Sequence, residues 1–538
     1  MPGTGGAGAH HRRYRGRSRR AGSIDGRRHA ANTAPARVDP DERGRCPIDG
    51  TAPGGQPRVT PWHGLVRTAC PRHIRQPAYF RCRQRWPESM PAPAPDRPAP
   101  VVAPAGRTGS NPSTGESFMQ RRHSLKTLAA AAALAGLSAL PAHAQDSIKV
   151  GILHSLSGTM AISETVLKDT VLMAIDEINA SGGVLGKKLE PVVVDPASNW
   201  PLFAEKARQL LGQDKVAVIF GCWTSVSRKS VLPVVEEMNG LLFYPVQYEG
   251  EELSKNVFYT GAAPNQQAIP AVDYLMSKDG GSAKRWVLLG TDYVYPRTTN
   301  KILRAYLRAK GVKDSDIAEK YTPFGHSDYQ TIVADIQKFS QGGKTAVVST
   351  INGDSNVPFY KELGNAGLKA KDVPVVAFSV GEEELRGVDT KPLVGHLAAW
   401  NYFQSIKSPA NTEFIKKWSG YARAKGIAGH KDRPLTNDPM EASYIGIHMW
   451  KQAVEKAKST DVDKVIAAMA GQTFKAPSGI TSMMDEKNHH LHKSVFIGEI
   501  KADGQFNVVW KTPGPVKAKP WSPYIEGNDK KPDEPEKK

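Results

Sequence analysis

The sequence has 538 residues, a formal net charge of +19 and four cysteines. Residues 1–118 carry most of that charge, because they contain 20 Arg, no Lys and only 8 acidic residues. Residues 145–538 contain 49 basic and 45 acidic residues, a formal charge of +4, and this small charge removes most of the case for a nucleic-acid partner. They contain one cysteine, Cys222, so no internal disulfide can form there.

The N-terminal stretch has the composition of a segment without a core. Residues 1–118 include 17 of the 40 prolines, and no apolar periodicity in them extends beyond a few residues. We expect this extension to be disordered, or to be an upstream stretch that is read because a start codon is placed too early.

An export signal is predicted over residues 119–144. It has a basic start (MQRRHSLK), an apolar region at 127–140 and the small-x-small cleavage site Ala142-His143-Ala144. Its basic start resembles a twin-arginine signal, and its apolar region is too short to span a bilayer. We therefore expect a soluble protein that is exported to the periplasm.

The sequence from residue 148 alternates short apolar runs with amphipathic stretches, which predicts parallel doubly wound sheets. The first run has predicted strands at 148–153, 189–195, 216–220, 241–244 and 257–261, with helices beginning at the cap Ser163, at 202 and at Thr224–Ser225. A hinge is predicted at 262–265. The second run has strands at 285–290, 318–321, 345–350, 373–378 and 396–403, with helices between them.

The end of the chain completes the predicted architecture. Three helices (411–425, 438–458 and 461–469) precede a hairpin of strands 494–501 and 505–510. The fold class is α/β, with two doubly wound parallel-sheet lobes joined by a hinge. We assign residues 147–263 with 404–490 to lobe 1, residues 264–403 with 491–511 to lobe 2, and residues 512–538 to a flexible tail.

Polar and aromatic side chains follow several predicted strands at their carboxyl ends, where open α/β sheets bind ligands. The candidate ligand-binding residues are Trp223, Thr224, Ser225, Tyr244, Gln247, Tyr293, Tyr295, Asp354 and Glu382. Structural alternatives stay open for three of them: Trp223 and Tyr295 can be packing residues, and Asp354 can cap the helix that begins near Val357.

Other chemistries do not assemble in this sequence. The GHSDY run at Gly325 lacks the last glycine of a nucleophile elbow, and the histidines of 488–492 have no completing metal ligands. No phosphate-binding or dinucleotide-binding glycine motif is present. We therefore expect no enzyme, no catalytic residue, no cofactor and no metal.

Several segments carry a family resemblance: GCWTSVSRKS, LLFYPVQYEGEE, YTGAAPNQQAIP, GTDYVYPRTTN, STINGDSNVPFYKEL, AFSVGEEEL, LVGHLAAWNYF and TNDPMEA. The sequence resembles the type I periplasmic solute-binding proteins that serve branched-chain amino acid, amide and urea uptake, and among them the urea-binding components of ABC importers. The resemblance covers residues 148–512 and does not extend to residues 1–118.

The resemblance implies roles for individual residues. A related cytoplasmic amide sensor has a Tyr at the position of Trp223, and its amide pocket includes residues that correspond to Tyr244, Tyr293 and Tyr295. In related amino acid binders a carboxylate of the second lobe holds the α-ammonium group, and Glu382 is the nearest match here.

The resulting functional expectation is a periplasmic protein that captures urea between two lobes and delivers it to ABC permease subunits in the inner membrane. In this hypothesis, Ser225 or a backbone N–H donates to the urea oxygen, and Tyr293, Asp354 and Glu382 accept from its N–H groups. The alternatives are a carrier of short-chain amides or branched-chain amino acids, and an amide sensor that regulates transcription.

Overall fold

The computed structural model describes residues 147–535. The predicted extension (1–118) and the predicted export signal (119–144) lie outside the described residues. No helix within residues 147–535 combines the length and the apolar character that crossing a bilayer requires.

Residues 148–259 form the parallel sheet of lobe 1 and its first helices. Its elements are β1 (Ile148–Leu153), α1 (Ala161–Ala180), β2 (Leu189–Val194), α2 (Trp200–Arg208), β3 (Ile219–Gly221), α3 (Ser225–Glu237), β4 (Leu242–Tyr244) and β5 (Val257–Tyr259). The five strands are parallel, in the order β2-β1-β3-β4-β5.

The following elements build the sheet of lobe 2. They are α4 (Ala268–Met276), β6 (Arg285–Thr291), α5 (Val294–Ala309), β7 (Ile317–Thr322), α6 (Gln330–Ser340), β8 (Thr345–Thr350), α7 (Asn356–Asn365), β9 (Val375–Ala377) and β10 (Leu397–Trp400). Both faces of this sheet are buried. Val287 and Leu289 of β6 enter one apolar cluster, whereas Trp286 and Leu288 enter another, which explains the continuous apolar run of this strand.

The chain then returns to lobe 1 before it completes the second sheet. The remaining elements are α8 (Pro409–Ala424), α9 (Asp438–Ala457), α10 (Val462–Met469), β11 (Thr473–Lys475), β12 (Thr481–Met483), β13 (Phe496–Ile500) and β14 (Phe506–Lys511). Helix α9 packs against α1 and β4. At Gly446 of α9 a Cβ atom would lie 3.2 Å from the ring of Phe243, so the glycine permits this close approach.

The sheet of lobe 2 has seven strands in the order β14-β13-β10-β9-β8-β6-β7. Strands β6 to β10 are parallel, whereas β13 runs antiparallel to β10 and β14 antiparallel to β13. The α/β class with two parallel-sheet lobes is confirmed, with this antiparallel hairpin at one edge. A tight turn can join only antiparallel neighbours, because parallel strands need a long crossover.

Three crossings join the lobes, and one side chain ties them together. The Nδ2 group of Asn401 donates to the carbonyl oxygen of Gln266 at 3.0 Å and to that of Ser494 at 2.8 Å. These three residues belong to the three different crossings, so one buried amide contacts all of them, and Gln266 Nε2 adds a further bond between two crossings by donating to the Leu491 carbonyl oxygen at 2.9 Å.

Two sequence-based expectations are wrong in detail. Ser163 does not cap α1, which begins at Ala161; its hydroxyl instead donates to Glu384 Oε1 of lobe 2 at 2.6 Å. The tail expected to be flexible is held by hydrogen bonds. Both carboxylate oxygens of Glu251 accept from the Asn528 amide, at 2.7 and 2.8 Å, and the Tyr524 ring lies 4.9 Å from that of Tyr306 in α5.

Candidate functional site

The loop after β3 has little freedom. At Gly221 a Cβ atom would lie 2.2 Å from the carbonyl oxygen of Leu153, so only glycine fits there. Cys222 follows with φ at +66°, a left-handed conformation that carries strain for a residue with a Cβ. Thr224 then caps α3, with its hydroxyl oxygen accepting from the Ser227 N–H at 3.1 Å. This cap confirms the helix start that the sequence predicts.

Tyr244, at the end of β4, locks this loop to the next one. Its hydroxyl donates to the carbonyl oxygen of Trp223 at 2.5 Å and lies 3.5 Å from that of Gln247. The hydroxyl is therefore satisfied by the protein. Burial raises the pKa of Tyr244, so it is a neutral donor at physiological pH. Its role in the structure is to hold the site loops together.

Trp223 is buried with an unused donor. Trp223 is only 2% exposed, and its Nε1 atom has no hydrogen-bond acceptor among the described residues. A buried indole N–H usually finds a partner, because leaving it unpaired costs free energy. The group is therefore a buried donor in the loop after β3 without a partner in the described part of the chain.

Ser225 does not offer the free donor that the sequence-based hypothesis requires. Its hydroxyl hydrogen is donated to Glu249 Oε2, and its oxygen accepts from Arg228 Nη1 at 3.2 Å. The hypothesis is wrong for this hydroxyl, because the hydroxyl already donates its hydrogen bond to a buried carboxylate. The first backbone N–H groups of α3 still lack intrahelical partners and remain candidate donors.

Arg228 and Glu249 form a buried ion-pair network that the sequence analysis missed. Arg228 Nη2 lies 3.3 Å from Glu249 Oε1, and Arg228 Nε lies 2.7 Å from Glu252 Oε1. The guanidinium also lies over the rings of Tyr244 and Tyr248, 4.7 and 4.6 Å from their centroids. Burial alone would lower the pKa of Arg228, but the two carboxylates hold it well above its usual value.

Gln247 connects the lobes. Its Nε2 group donates to the hydroxyl oxygen of Ser379, which follows β9 in lobe 2, at 2.7 Å. Its Oε1 atom is buried and accepts no hydrogen bond from any described residue. The residue thus bridges the cleft with one end of its amide and presents an acceptor with the other.

Two tyrosines of lobe 2, Tyr293 and Tyr295, lie at the start of α5, and Tyr295 lies beside Gln247. The hydroxyl of Tyr293 accepts from Asn352 Nδ2 at 2.9 Å. Tyr295 is buried, and its hydroxyl lies beside Gln247 and Ser379 without a hydrogen bond of good geometry to any described residue. Burial raises the pKa of both tyrosines, with a further contribution from Glu249 across the cleft. Their hydroxyls are therefore neutral and can both donate and accept.

Asp354 lies outside this cluster. It is exposed at the start of a short 3₁₀ turn before α7, and its backbone N–H donates to the Thr159 carbonyl oxygen of lobe 1 at 3.1 Å. Backbone N–H groups of its own turn act on the carboxylate. The exposed position gives no support to Asp354 as a ligand acceptor, so that role stays a prediction. The alternative that Asp354 caps the helix is wrong, because Ser355 is the N-cap residue of α7 and no side-chain hydrogen bond caps that helix.

Glu382 is buried at the hinge rather than beside the tyrosines. Its Oε1 atom accepts from the Gln404 backbone N–H at 2.7 Å, and its Oε2 atom has no partner among the described residues. Burial, together with the nearby carboxylates of Glu384 and Asp438, raises its pKa to about 8. At neutral pH Glu382 is therefore mostly a protonated acid.

Two of the three histidines of 488–492 serve as packing, and the third, His492, pairs with Asp485 Oδ2 at 2.9 Å. The His490 ring stacks on Tyr259 with centroids 4.2 Å apart, and the His489 ring stacks on Phe258 at 4.7 Å. Burial lowers the pKa of each to about 4. Within residues 147–535, no group of three or more His, Cys, Asp or Glu side chains is arranged to hold a metal ion.

Comparison with known proteins identifies the family to which this fold belongs. A model of the periplasmic binding protein domain matches residues 148–527, and the chain belongs to this family. The Leu/Ile/Val-binding protein homolog 7 of Brucella suis is 26% identical over 409 residues, covering 72% of this chain and 96% of that protein. The family model and this relative both cover most of the described residues.

Solved structures share the fold. A solute-binding protein of an ABC transporter from R. palustris, in complex with 4-hydroxybenzoate, has a TM-score of 0.58 and 22% identity, covering 69% of this chain and 98% of that one. The branched-chain amino acid binding protein LivJ of Streptococcus pneumoniae, in complex with isoleucine, has a TM-score of 0.55 and 22% identity, covering 69% and 99%.

One match concerns an enzyme. A limonene hydroxylase of Geobacillus stearothermophilus is 34% identical over 131 residues, which cover 24% of this chain and 22% of that protein. The chain therefore spans about a fifth of the enzyme's length. Burial raises the pKa of the Cys222 thiol in the site loop, which keeps the thiol protonated.

Proposed function

We propose that this solute-binding protein carries urea, or a short-chain amide, to ABC permease subunits in the inner membrane. The observation that carries the proposal is the state of Arg228, the cation next to the site tyrosines. It is already shared between Glu249 and Glu252. A ligand carboxylate would find no unpaired cation there and would approach the charge of Glu249, so a neutral ligand is favoured.

The unpartnered polar atoms of the cleft support a ligand of this kind. Trp223 Nε1 is a donor, Gln247 Oε1 is an acceptor, and the Tyr295 hydroxyl can act as either. Urea has one carbonyl acceptor and four N–H hydrogens on a flat, uncharged body. A small amide can therefore satisfy both kinds of group, and the neighbouring aromatic rings can cover its faces.

Branched-chain amino acids are the second candidate. The names of the Brucella relatives and the isoleucine bound to LivJ favour them over urea. In this chain, Glu382 Oε2 is buried and unpartnered, which is a place where an α-ammonium group can bind and return the carboxyl to its charged form. The paired state of Arg228 argues against it, because the α-carboxylate then lacks a partner.

A thermal-shift panel separates the two candidates, because a ligand that binds only the native state stabilises it by RT ln(1 + L/Kd), where L is the concentration of free ligand. We expect urea, formamide or acetamide to raise the melting temperature of the purified protein, and leucine, isoleucine and 4-hydroxybenzoate to leave it unchanged. A rise with leucine or isoleucine alone would replace the proposal by the second candidate.

The place of action follows from the family and from the predicted signal at 119–144. We propose that the protein is exported and acts in the periplasm. Intact-mass analysis of protein from a periplasmic fraction should find an N-terminus near Gln145. A product that retains residues 12–107 would contradict both the signal and the proposed dispensability of the extension.

A further inference from the structure

We propose that Glu249 selects the ligand by charge: its carboxylate accepts an N–H of the bound amide and excludes ligands that carry a carboxylate. This inference rests on the proposed function and assigns it to one residue. Glu249 follows β4 in lobe 1 and is only 1% exposed. Its Oε2 atom accepts from the hydroxyl of Ser225, the first residue of α3, which places the carboxylate at the carboxyl ends of the lobe 1 strands.

Glu249 has hydrogen-bonding capacity left. An ionised carboxylate offers about four acceptor sites. Among the described residues, Ser225 donates to its Oε2 atom, and the Arg228 Nη2 group donates to its Oε1 atom at a long 3.3 Å. Lys229 Nζ lies 3.8 Å from Oε1, which is an ion-pair distance but too long for a hydrogen bond. Each oxygen therefore has one hydrogen-bond donor and an acceptor site left, which a ligand N–H can use.

Glu252 shows what a purely structural carboxylate looks like in the same network. Its Oε1 atom accepts from Arg228 Nε at 2.7 Å and from the Tyr259 hydroxyl at 2.8 Å. Its Oε2 atom accepts from Lys229 Nζ at 2.8 Å and from Arg228 Nη2 at 3.3 Å. All four acceptor positions are used by the protein, so Glu252 has none left for a ligand.

The two glutamates therefore form a matched pair. Both neutralise Arg228, so Glu249→Gln and Glu252→Gln each remove one negative charge from the same guanidinium. Only the first removes the carboxylate with unused acceptor sites. An effect of net charge or of stability appears in both variants, whereas ligand selection appears in the Glu249 variant alone.

The experiment uses three flat molecules of nearly equal size that differ in charge and in hydrogen-bond donors. Urea and acetamide are neutral, and acetate is an anion. Calorimetric titrations of the purified parent, Glu249→Gln and Glu252→Gln are compared, with melting temperatures recorded for each. Glu249→Asp is included as a variant that keeps the charge if Glu249→Gln does not fold.

We expect the parent to bind urea and to reject acetate. Glu249→Gln should lose about tenfold to a hundredfold in urea affinity, as expected when a bond to a charged acceptor is removed, and should gain measurable acetate binding. Glu249→Asp should lose urea affinity, because the shorter side chain draws the carboxylate back, and should still reject acetate. Glu252→Gln should bind urea within about threefold of the parent and should still reject acetate.

The possible failures are distinguishable. A parent that binds urea, with equal losses in Glu249→Gln and Glu252→Gln or with none in either, overturns the role of Glu249 and leaves the proposed function standing. A folded Glu249→Asp that binds acetate also overturns the role. A parent that binds acetate or leucine and no amide overturns both, because a carboxylate would then lie beside Glu249.

Discussion

The side-chain amide of Gln247 in lobe 1 donates to the hydroxyl of Ser379 in lobe 2 at 2.7 Å. Both groups are buried, and both follow the carboxyl ends of strands that border the cleft. The bond exists only when the lobes are together. It therefore contributes to the free-energy difference between the closed and open forms, on which apparent ligand affinity depends.

Disrupting this bond should weaken ligand binding. We expect Ser379→Ala and Gln247→Leu each to raise the Kd of the ligand, and the double variant to lose less than the sum of the two. A coupling free energy of roughly 0.5–1.5 kcal/mol is expected for one neutral hydrogen bond. Strictly additive losses in the double-mutant cycle would show that the two side chains act independently.

Glu382 should make stability depend on pH. The unfolded chain releases this proton near pH 4.3, as an ordinary Glu does, whereas the folded protein holds it to about pH 8. The folded state thus binds more protons between these values, so this group's contribution to stability falls as pH rises through that window and then levels off.

The variant Glu382→Gln tests this dependence, because Gln imitates the protonated acid. We expect melting curves of the variant to show a smaller loss of stability between pH 5 and pH 8 than those of the parent, and a higher melting temperature than the parent at pH 9. The exposed Glu413→Gln serves as the control and should follow the parent. Parallel pH profiles for Glu382→Gln and the parent would contradict the raised pKa.

Replacing Trp223 should relax selectivity. Urea and acetamide differ by an amino group exchanged for a methyl, so a pocket rejects acetamide by lack of room and by an acceptor left unpaired. Trp223→Tyr should reduce the steric part, and one methyl is worth roughly 1–3 kcal/mol in such a pocket. The ratio of the two affinities should narrow by about tenfold. An unchanged ratio in a folded variant would make Trp223 a packing residue.

Asn528 should anchor the tail. Its buried amide donates to both oxygens of Glu251 and to the Ser522 carbonyl oxygen. We expect Asn528→Ala to cost about 1–3 kcal/mol of unfolding free energy, measured by chemical denaturation, because the carboxylate of Glu251 loses the two bonds from the Asn528 amide. The neighbouring exposed Asp529→Ala is the matched control. Equal unfolding free energies of the two variants would show that Asn528 does not anchor the tail, and would support the flexible tail that its composition predicts.

Secondary structure and helix caps could be predicted from the sequence, whereas hydrogen bonds between residues far apart in the chain could not. The strand and helix alternation and the cap at Thr224 depend on neighbouring residues, so pattern and capping rules reach them. The partner of Ser225 lies 24 residues away and that of Ser163 lies 221 residues away, in the other lobe. No local pattern encodes such contacts, which is why a free Ser225 hydroxyl and a capping role for Ser163 were wrong expectations.

Composition misled at two further places. Asp354 precedes a helix as a capping residue would, but it is exposed, and Ser355 is the N-cap residue of α7. The tail is rich in Pro, Lys and Glu, yet Glu251 offers it a partly buried acceptor. For Glu249, the available signal was a carboxylate in the YEGEE run after a buried strand, one loop away from a helix that carries Arg228.

Calorimetric titration of the purified protein with urea and with leucine at neutral pH tests the central claim most directly. The paired state of Arg228 predicts saturable one-to-one binding of urea, with a Kd that changes little between low and high salt because urea carries no charge. Leucine should give no heat beyond dilution. One-to-one binding of leucine with no response to urea would contradict the account.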